Sequence, residues 1–95
     1  MIYISGKISG LDLETARRNF AAAADQIKSE GGDPMNPMEY IEVEEGKTWE
    51  EYMKEALYLM LMSEEILMLP DWTNSRGAKI EYALAKTLKY KIRYA

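Results

Sequence analysis

The amino-acid sequence predicts an α/β domain of the Rossmann or flavodoxin-like kind, a three-layer sandwich built on a four-stranded parallel sheet in βαβαβαβ order. Three observations predict it. Ile66-Leu-Met-Leu69 is short, continuously apolar and stopped by Pro70, the pattern of a strand buried on both faces of a parallel sheet. Segments beginning near Leu11 and Thr48 carry helical apolar spacing and lie between strand-like runs. The two ends of the chain, Ile2-Tyr-Ile4 and Lys91-Ile-Arg-Tyr94, are short β-branched or alternating runs. Strands alternating with helices in this way call for right-handed crossovers and a parallel sheet.

The elements follow in order. Ile2-Tyr-Ile4 runs into the loop Ser5-Gly-Lys-Ile-Ser-Gly10, and Leu11-Asp12 leads into a helix. Leu13, Ala16, Phe20, Ala23, Ala24 and Ile27 form its apolar stripe, with Arg17, Arg18, Asp25 and Lys28 outside it. Gly6 and Gly10 allow backbone N–H groups to turn toward an anion near a helix start, and Lys7 adds a positive charge. This spacing fits neither a Walker P-loop nor the dinucleotide fingerprint, and turns need glycine in any case. Gly31-Gly32 ends the helix. The second strand falls within Asp33-Pro-Met-Asn-Pro-Met38, where two prolines keep it short and at a sheet edge. Glu39 to Lys47 is acidic and aperiodic, and reads as a loop over the cleft.

Thr48-Trp-Glu-Glu51 matches a capping box. The second helix then runs to about Ser63, and its apolar residues cover more than one face. A 95-residue chain has little protein with which to cover both sides, so this Met-rich helix is expected to pack on the sheet and on a second copy, giving a homodimer or higher homo-oligomer. Asn74 or Ser75 caps the third helix, which carries Ile80, Leu84 and Leu88. The alternating last strand forms the other edge. The expected strand order is 2-1-3-4, which brings Gly6 to Gly10 opposite Asp71 to Glu81 at the ligand edge of the sheet.

Composition narrows the function. Twelve basic residues against sixteen acidic ones give a net charge of −4, which argues against a nucleic-acid polymer as partner. The chain has no cysteine and no histidine, so disulfides, Cys/His zinc sites, thiol nucleophiles and histidine catalysis are excluded. Chemistry has to run on carboxylates, hydroxyls, Lys or Tyr. No apolar run approaches membrane-spanning length, and the expectation is one soluble cytoplasmic domain over residues 1–95, with no metal or cofactor.

One carboxylate stands out. At four and three residues before and after Glu81 are Gly77, Ala78, Leu84 and Ala85, so no cation reaches it along its own helix, whereas Glu14, Glu50 and Glu51 all have basic neighbours at those offsets. Glu81 therefore reads either as an acid, base or nucleophile installed in a partly dry cleft or as an exposed glutamate without a partner.

Several blocks resemble a known family. Tyr3-Ile-Ser-Gly-Lys-Ile-Ser-Gly10, Asn36-Pro-Met38, Thr48-Trp-Glu-Glu-Tyr-Met53, Leu69-Pro-Asp-Trp72 and Ser75-Arg-Gly-Ala-x-x-Glu81 together resemble small phage and bacterial domains grouped with the nucleoside 2-deoxyribosyltransferases and 2′-deoxynucleoside 5′-phosphate N-hydrolases. The resemblance covers nearly the whole chain. It implies a single nucleoside deoxyribosyltransferase-like domain whose ligand is a nucleoside or nucleotide. Glu81 would attack C1′ of the deoxyribose, with water or a second base completing the reaction. Tyr3 matches a tyrosine near the sugar. Ser75 matches a hydroxyl residue that helps hold a 5′-phosphate, and Lys7 and Ser9 lie in the loop sharing that task, with Gly6, Gly10 and Gly77 in the same motifs. Trp72 either stacks on a base or covers the sheet edge. One departure stands against the resemblance: the relatives' second acid, an Asp, matches Ala56 here, with Glu55 one residue before. Either Glu55 or Asp71 replaces it, or the domain binds nucleotides without turning them over. A third possibility is an assembly protein with a vestigial cleft.

Overall fold

In the computed structural model, which describes residues 1–95, four parallel strands form one sheet in the order β2-β1-β3-β4. These are β1 (Ile2–Ser5), β2 (Pro34–Met35), β3 (Glu65–Met68) and β4 (Lys91–Tyr94). The helices are α1 (Leu13–Ser29), α2 (Pro37–Tyr40), α3 (Trp49–Leu61) and α4 (Arg76–Thr87), with a short 3₁₀ turn at Trp72–Asn74. The chain leaves β1 for β2 on one side and returns across β1 to β3 and then β4 on the other. The loops after β1 and β3 therefore diverge from adjacent strands, which opens a crevice at their carboxyl ends.

The two-residue period of β1 divides the core. Ile2 and Ile4 pack on one face with Phe20, Ala23, Ala24 and Ile27 of α1 and with Leu67 and Leu69. Tyr3 points to the opposite face, where Met60 of α3, Ala78 and Ala85 of α4, and Ile66 and Met68 collect. Removing each large apolar side chain from water contributes about 1.5–3 kcal/mol, so both layers hold the central strands β1 and β3. The register runs from Ile2 opposite Glu65 to Ser5 opposite Met68, and from Glu65 opposite Lys91 to Met68 opposite Tyr94.

Side chains cap the helices at their starts. Asp12 accepts from the Thr15 N–H at 3.1 Å, and Thr48 from the Glu51 N–H at 3.1 Å. The return half of the expected capping box differs: the Glu51 carboxylate accepts the Thr48 hydroxyl at 3.3 Å. For α4 the cap is Ser75, which accepts from the Ala78 N–H at 3.1 Å, while Asn74 closes the 3₁₀ turn.

The second strand is shorter than the expected span. Only Pro34 and Met35 pair with β1. Asn36 then caps the Met38 N–H at 3.0 Å, and Pro37 opens α2, a four-residue helix where the sequence reads as the end of a strand and the start of a loop. A capping Asn followed by Pro at the first helical position is a helix start, and a proline cannot donate to a ladder. Before β4 no glycine is available, and Lys89 takes a left-handed conformation at φ 61°. The Tyr90 N–H reaches back to the Ala85 carbonyl at 2.9 Å, which closes α4 and starts the edge strand.

Along α3, Met60 is fully buried, whereas Tyr58 and Leu61, and Met62 at the helix end, are exposed. No helix is long and apolar enough to cross a membrane.

Candidate active site

Residues two apart on a strand share a face, so Tyr3 and Ser5 of β1 both point toward α4. Glu81 lies on the second turn of that helix and meets them. The Tyr3 hydroxyl donates to Glu81 Oε2 at 2.6 Å, and the Ser5 hydroxyl donates to Oε1 at 2.7 Å. Glu81 is 5% exposed and both hydroxyl residues are 1% exposed. The carboxylate makes no ion pair, and its only side-chain partners are these two neutral donors. The lack of a cation along α4 thus marks burial, and the alternative of an exposed, unpartnered glutamate falls away.

Burial pushes the Glu81 carboxyl up from its ordinary 4.5 to about 7, the Tyr3 and Ser5 hydrogen bonds acting in the opposite direction. The same burial, followed by the neighbouring carboxylate charge, holds the Tyr3 phenol well above its usual range. Tyr3 therefore remains a donor at any ordinary pH, while Glu81 changes charge near neutrality.

Glu81 sits in a cleft of about 540 Å³ at the crevice between the β1 and β3 loops. Gly6, Lys7, Ile8 and Ser9 form one wall, and Asn74 to Ala78 form another. Trp49, Tyr52, Met53 and Ala56 of α3 line a third, with Ile41 and Val43 arriving from the loop after α2. Glu39 and Tyr40, expected in this loop, belong to α2 instead, and the remaining acidic segment from Ile41 to Lys47 borders the cleft. It is fastened to α3 by Lys47, which pairs with Glu55 at 2.5 Å and lies 4.6 Å from the Tyr52 ring centre. The Tyr52 hydroxyl accepts from the Glu44 N–H at 2.9 Å. The cleft holds one carboxylate, two cations (Lys7 and Arg76), and the hydroxyls of Tyr3, Ser9, Tyr52 and Ser75. The Arg76 guanidinium lies over the Trp49 ring at 4.0 Å. No cluster of three or more His, Cys, Asp or Glu residues capable of holding a metal ion occurs anywhere in the chain.

The residues singled out in the sequence separate into two groups. Tyr3, Gly6, Lys7, Ser9, Ser75, Gly77 and Glu81 share the cleft. Gly10, Asp71 and Trp72 lie outside its lining. Asp71 instead accepts the Lys7 backbone N–H at 3.2 Å, tying the β3 loop to the β1 loop. Trp72 stacks on Tyr82, with ring centres 4.3 Å apart and planes at 27°. Gly6 is required by proximity: a Cβ there would meet Leu69 Cδ1 at 2.6 Å and its Cβ and Cγ at 2.9 Å. Neither expected substitute for a second acid reaches the cleft. Glu55 points to Lys47, Asp71 is engaged with the β1 loop, and Ala56 lines the wall in between.

Some contributors are not evident from the sequence. Ser5 reads there as the first residue of a loop, although its spacing of two from Tyr3 is a usable signal that both face the same way. Arg76 and the wall residues Trp49, Tyr52 and Met53 lie within blocks that carry the resemblance but are given no role by it, and only the packing of α3 against α4 brings them to the cleft.

Fold and site together define a small Rossmann-like α/β domain with a buried carboxylate in a cleft at the point where strand order reverses. Over residues 1–94 the chain matches the family described as a domain of unknown function, DUF4406, and it belongs to that family. No curated protein matches it.

Proposed function

We propose that the protein cleaves or transfers at the N-glycosidic bond of a 2′-deoxynucleoside or its 5′-monophosphate, with Glu81 as nucleophile. The observation that carries this reading is the Glu81 carboxylate, buried on the floor of the cleft and held by the Tyr3 and Ser5 hydroxyls without a neutralising cation. A Glu81 oxygen bonds to C1′ as the C1′–N bond breaks, and the departing base takes up a proton from solvent. Water or a second base then attacks C1′, and the glycosyl ester to Glu81 breaks with net retention. Lys7 and Arg76, with Ser9, Ser75 and the α4 N-terminus, supply an anion-favouring side of the cleft suited to a 5′-phosphate. The aromatic and thioether wall of Trp49, Tyr52 and Met53 suits a planar base. A cytoplasmic setting suits such substrates, and self-association through the exposed Tyr58 and Leu61 of α3 and Met62 at its end belongs to the same reading.

The experiment is incubation with a panel of deoxynucleosides and their 5′-monophosphates, followed by chromatographic detection of free base. Glu81→Ala is expected to reduce release by at least about a hundredfold; release no greater than in that variant removes the proposal.

A second reading has an observation of its own. Ala56 lines the cleft where the relatives' second acid is expected, and no other carboxylate reaches it. A non-catalytic nucleotide-binding module would show ligand-dependent thermal stabilisation with no base released.

A further inference from the structure

Beyond Glu81 and Tyr3, the sheet contributes a second hydroxyl to the site. Ser5 is the last residue of β1, and its conformation is fixed from several directions: it pairs with Met68, its carbonyl accepts the Leu69 N–H at 2.8 Å, and its side chain is buried. Its hydroxyl takes Oε1 of Glu81 while Tyr3 takes Oε2. Two donors on one rigid strand, each holding a different oxygen of the same carboxylate, set the plane of that group and prevent rotation about its terminal torsion. With only one of them the carboxylate could swing about the remaining bond.

We infer that Ser5 is a positioning residue for Glu81, its hydroxyl orienting the carboxylate toward the cleft and holding it in the ionised form that can react. The inference rests on the reading of Glu81 as the reacting group and deepens it, because nothing in the chain's motifs assigns Ser5 a part. A hydroxyl facing a buried carboxylate favours the charged form, and here it works against the burial that pushes Glu81 toward neutrality. The other titratable or charged groups of the cleft are Tyr3 of β1, Lys7 of the β1 loop, Tyr52 of α3 and Arg76 of α4. Of these only Tyr3 bonds Glu81, so no cation stands ready to replace Ser5.

The test is a carbon-detected NMR titration of the Glu81 side-chain carboxyl between pH 5 and 9, assigned by comparison with Glu81→Gln, in the wild type, Ser5→Ala and Ser5→Thr. Loss of one hydrogen bond to a charged group should move the midpoint of Ser5→Ala upward by about one pH unit, and Ser5→Thr, which keeps the hydroxyl, should restore it. Where base release is measurable, the acid limb of kcat should move with that midpoint while KM stays nearly constant. A Ser5→Ala midpoint equal to or below that of the wild type overturns the inference, as does a Ser5→Thr midpoint displaced as far as that of Ser5→Ala. If Ser5→Ala does not fold, Ser5→Cys, a poorer donor of similar size, is expected to show a smaller upward displacement, and its absence counts against the inference equally. The titration requires no turnover. Absence of base release in the wild type therefore rejects the glycosidic reading by itself, whichever way the Ser5 midpoints fall.

Discussion

Replacing Glu81 with Gln should make the protein markedly more stable at pH 8 and only slightly so, by about 0.8 kcal/mol, at pH 5. Glu81 titrates near 7 in the fold against an ordinary 4.5, a difference of roughly 300-fold in proton affinity, or about 3 kcal/mol at 1.36 kcal/mol per tenfold. The sign follows from which state holds the proton. Below pH 4.5 the folded and unfolded chains are both protonated at this position, and the full stability is present. Between 4.5 and 7 the unfolded chain releases its proton while the folded chain retains it, so stability falls as pH rises, and above 7 the whole penalty applies. Because the side chain is 5% exposed, solvent screening does little to reduce it. Gln is nearly isosteric and carries no charge to bury, and its oxygen and amide face two hydroxyls that can each donate or accept. The assay is thermal unfolding of wild type and Glu81→Gln at several pH values from 5 to 8. Of the whole penalty, about 2.5 kcal/mol develops between pH 5 and pH 8, which for a domain of this size corresponds to roughly 10–20 °C, so the two melting curves should diverge by that amount as pH rises. Comparing the variants cancels the other titrating groups. Glu30 and Glu64, whose carboxyls are lowered by hydrogen bonds to Gln26 and to the chain amino group respectively, weaken the fold only as pH falls through the acid range, outside this window. Parallel melting profiles for the two proteins across pH 5 to 8 would refute the claim that Glu81 is buried at a cost.

Two further substitutions examine the supports of the cleft. Gly6→Ala drives a methyl group into Leu69, and overpacking where the β1 and β3 loops meet should cost about 1–3 kcal/mol; urea unfolding measures it, and an unchanged midpoint contradicts the close approach. Lys47→Met removes the pairing with Glu55 that fastens the loop after α2 to α3, so amide exchange between Glu42 and Lys47 should accelerate while β1 and β3 remain protected; equal acceleration throughout the sheet contradicts a local strap.

A stability cost of this size at one carboxylate calls for an explanation other than packing. An apolar residue at position 81 would complete the layer formed by Tyr3, Met60, Ala78 and Ala85 without desolvating a charge. Functional sites commonly carry such a cost, because a group that must change charge or attack a substrate has to be held dry and oriented.

Much of the architecture is decided by local residue order. The apolar run Ile66 to Leu69 is too short for a helix and is stopped by Pro70, so it reads as a buried strand, and the strand observed there, Glu65–Met68, is shifted by one residue. The prolines at 34 and 37 confine β2 to the edge, and Asp12, Thr48 and Ser75 set helix starts through bonds made within three residues. The absence of any cation beside Glu81 along α4 is also visible in the one-dimensional sequence. What surrounds that carboxylate is not, because Tyr3 and Ser5 are 78 and 76 residues away in the chain and meet it only once β1 lies beside β3 with α4 across them. The same distance explains why Asp71 can look like a site residue from its place after a strand and yet be engaged with the Lys7 backbone, and why Glu55 can look like a spare acid and yet belong to Lys47. Periodicity and capping are short-range consequences of backbone geometry, so they can be read along the chain. Whether a polar side chain faces a dry cleft, a partner or water depends on which elements stack above it, and only the folded arrangement settles that.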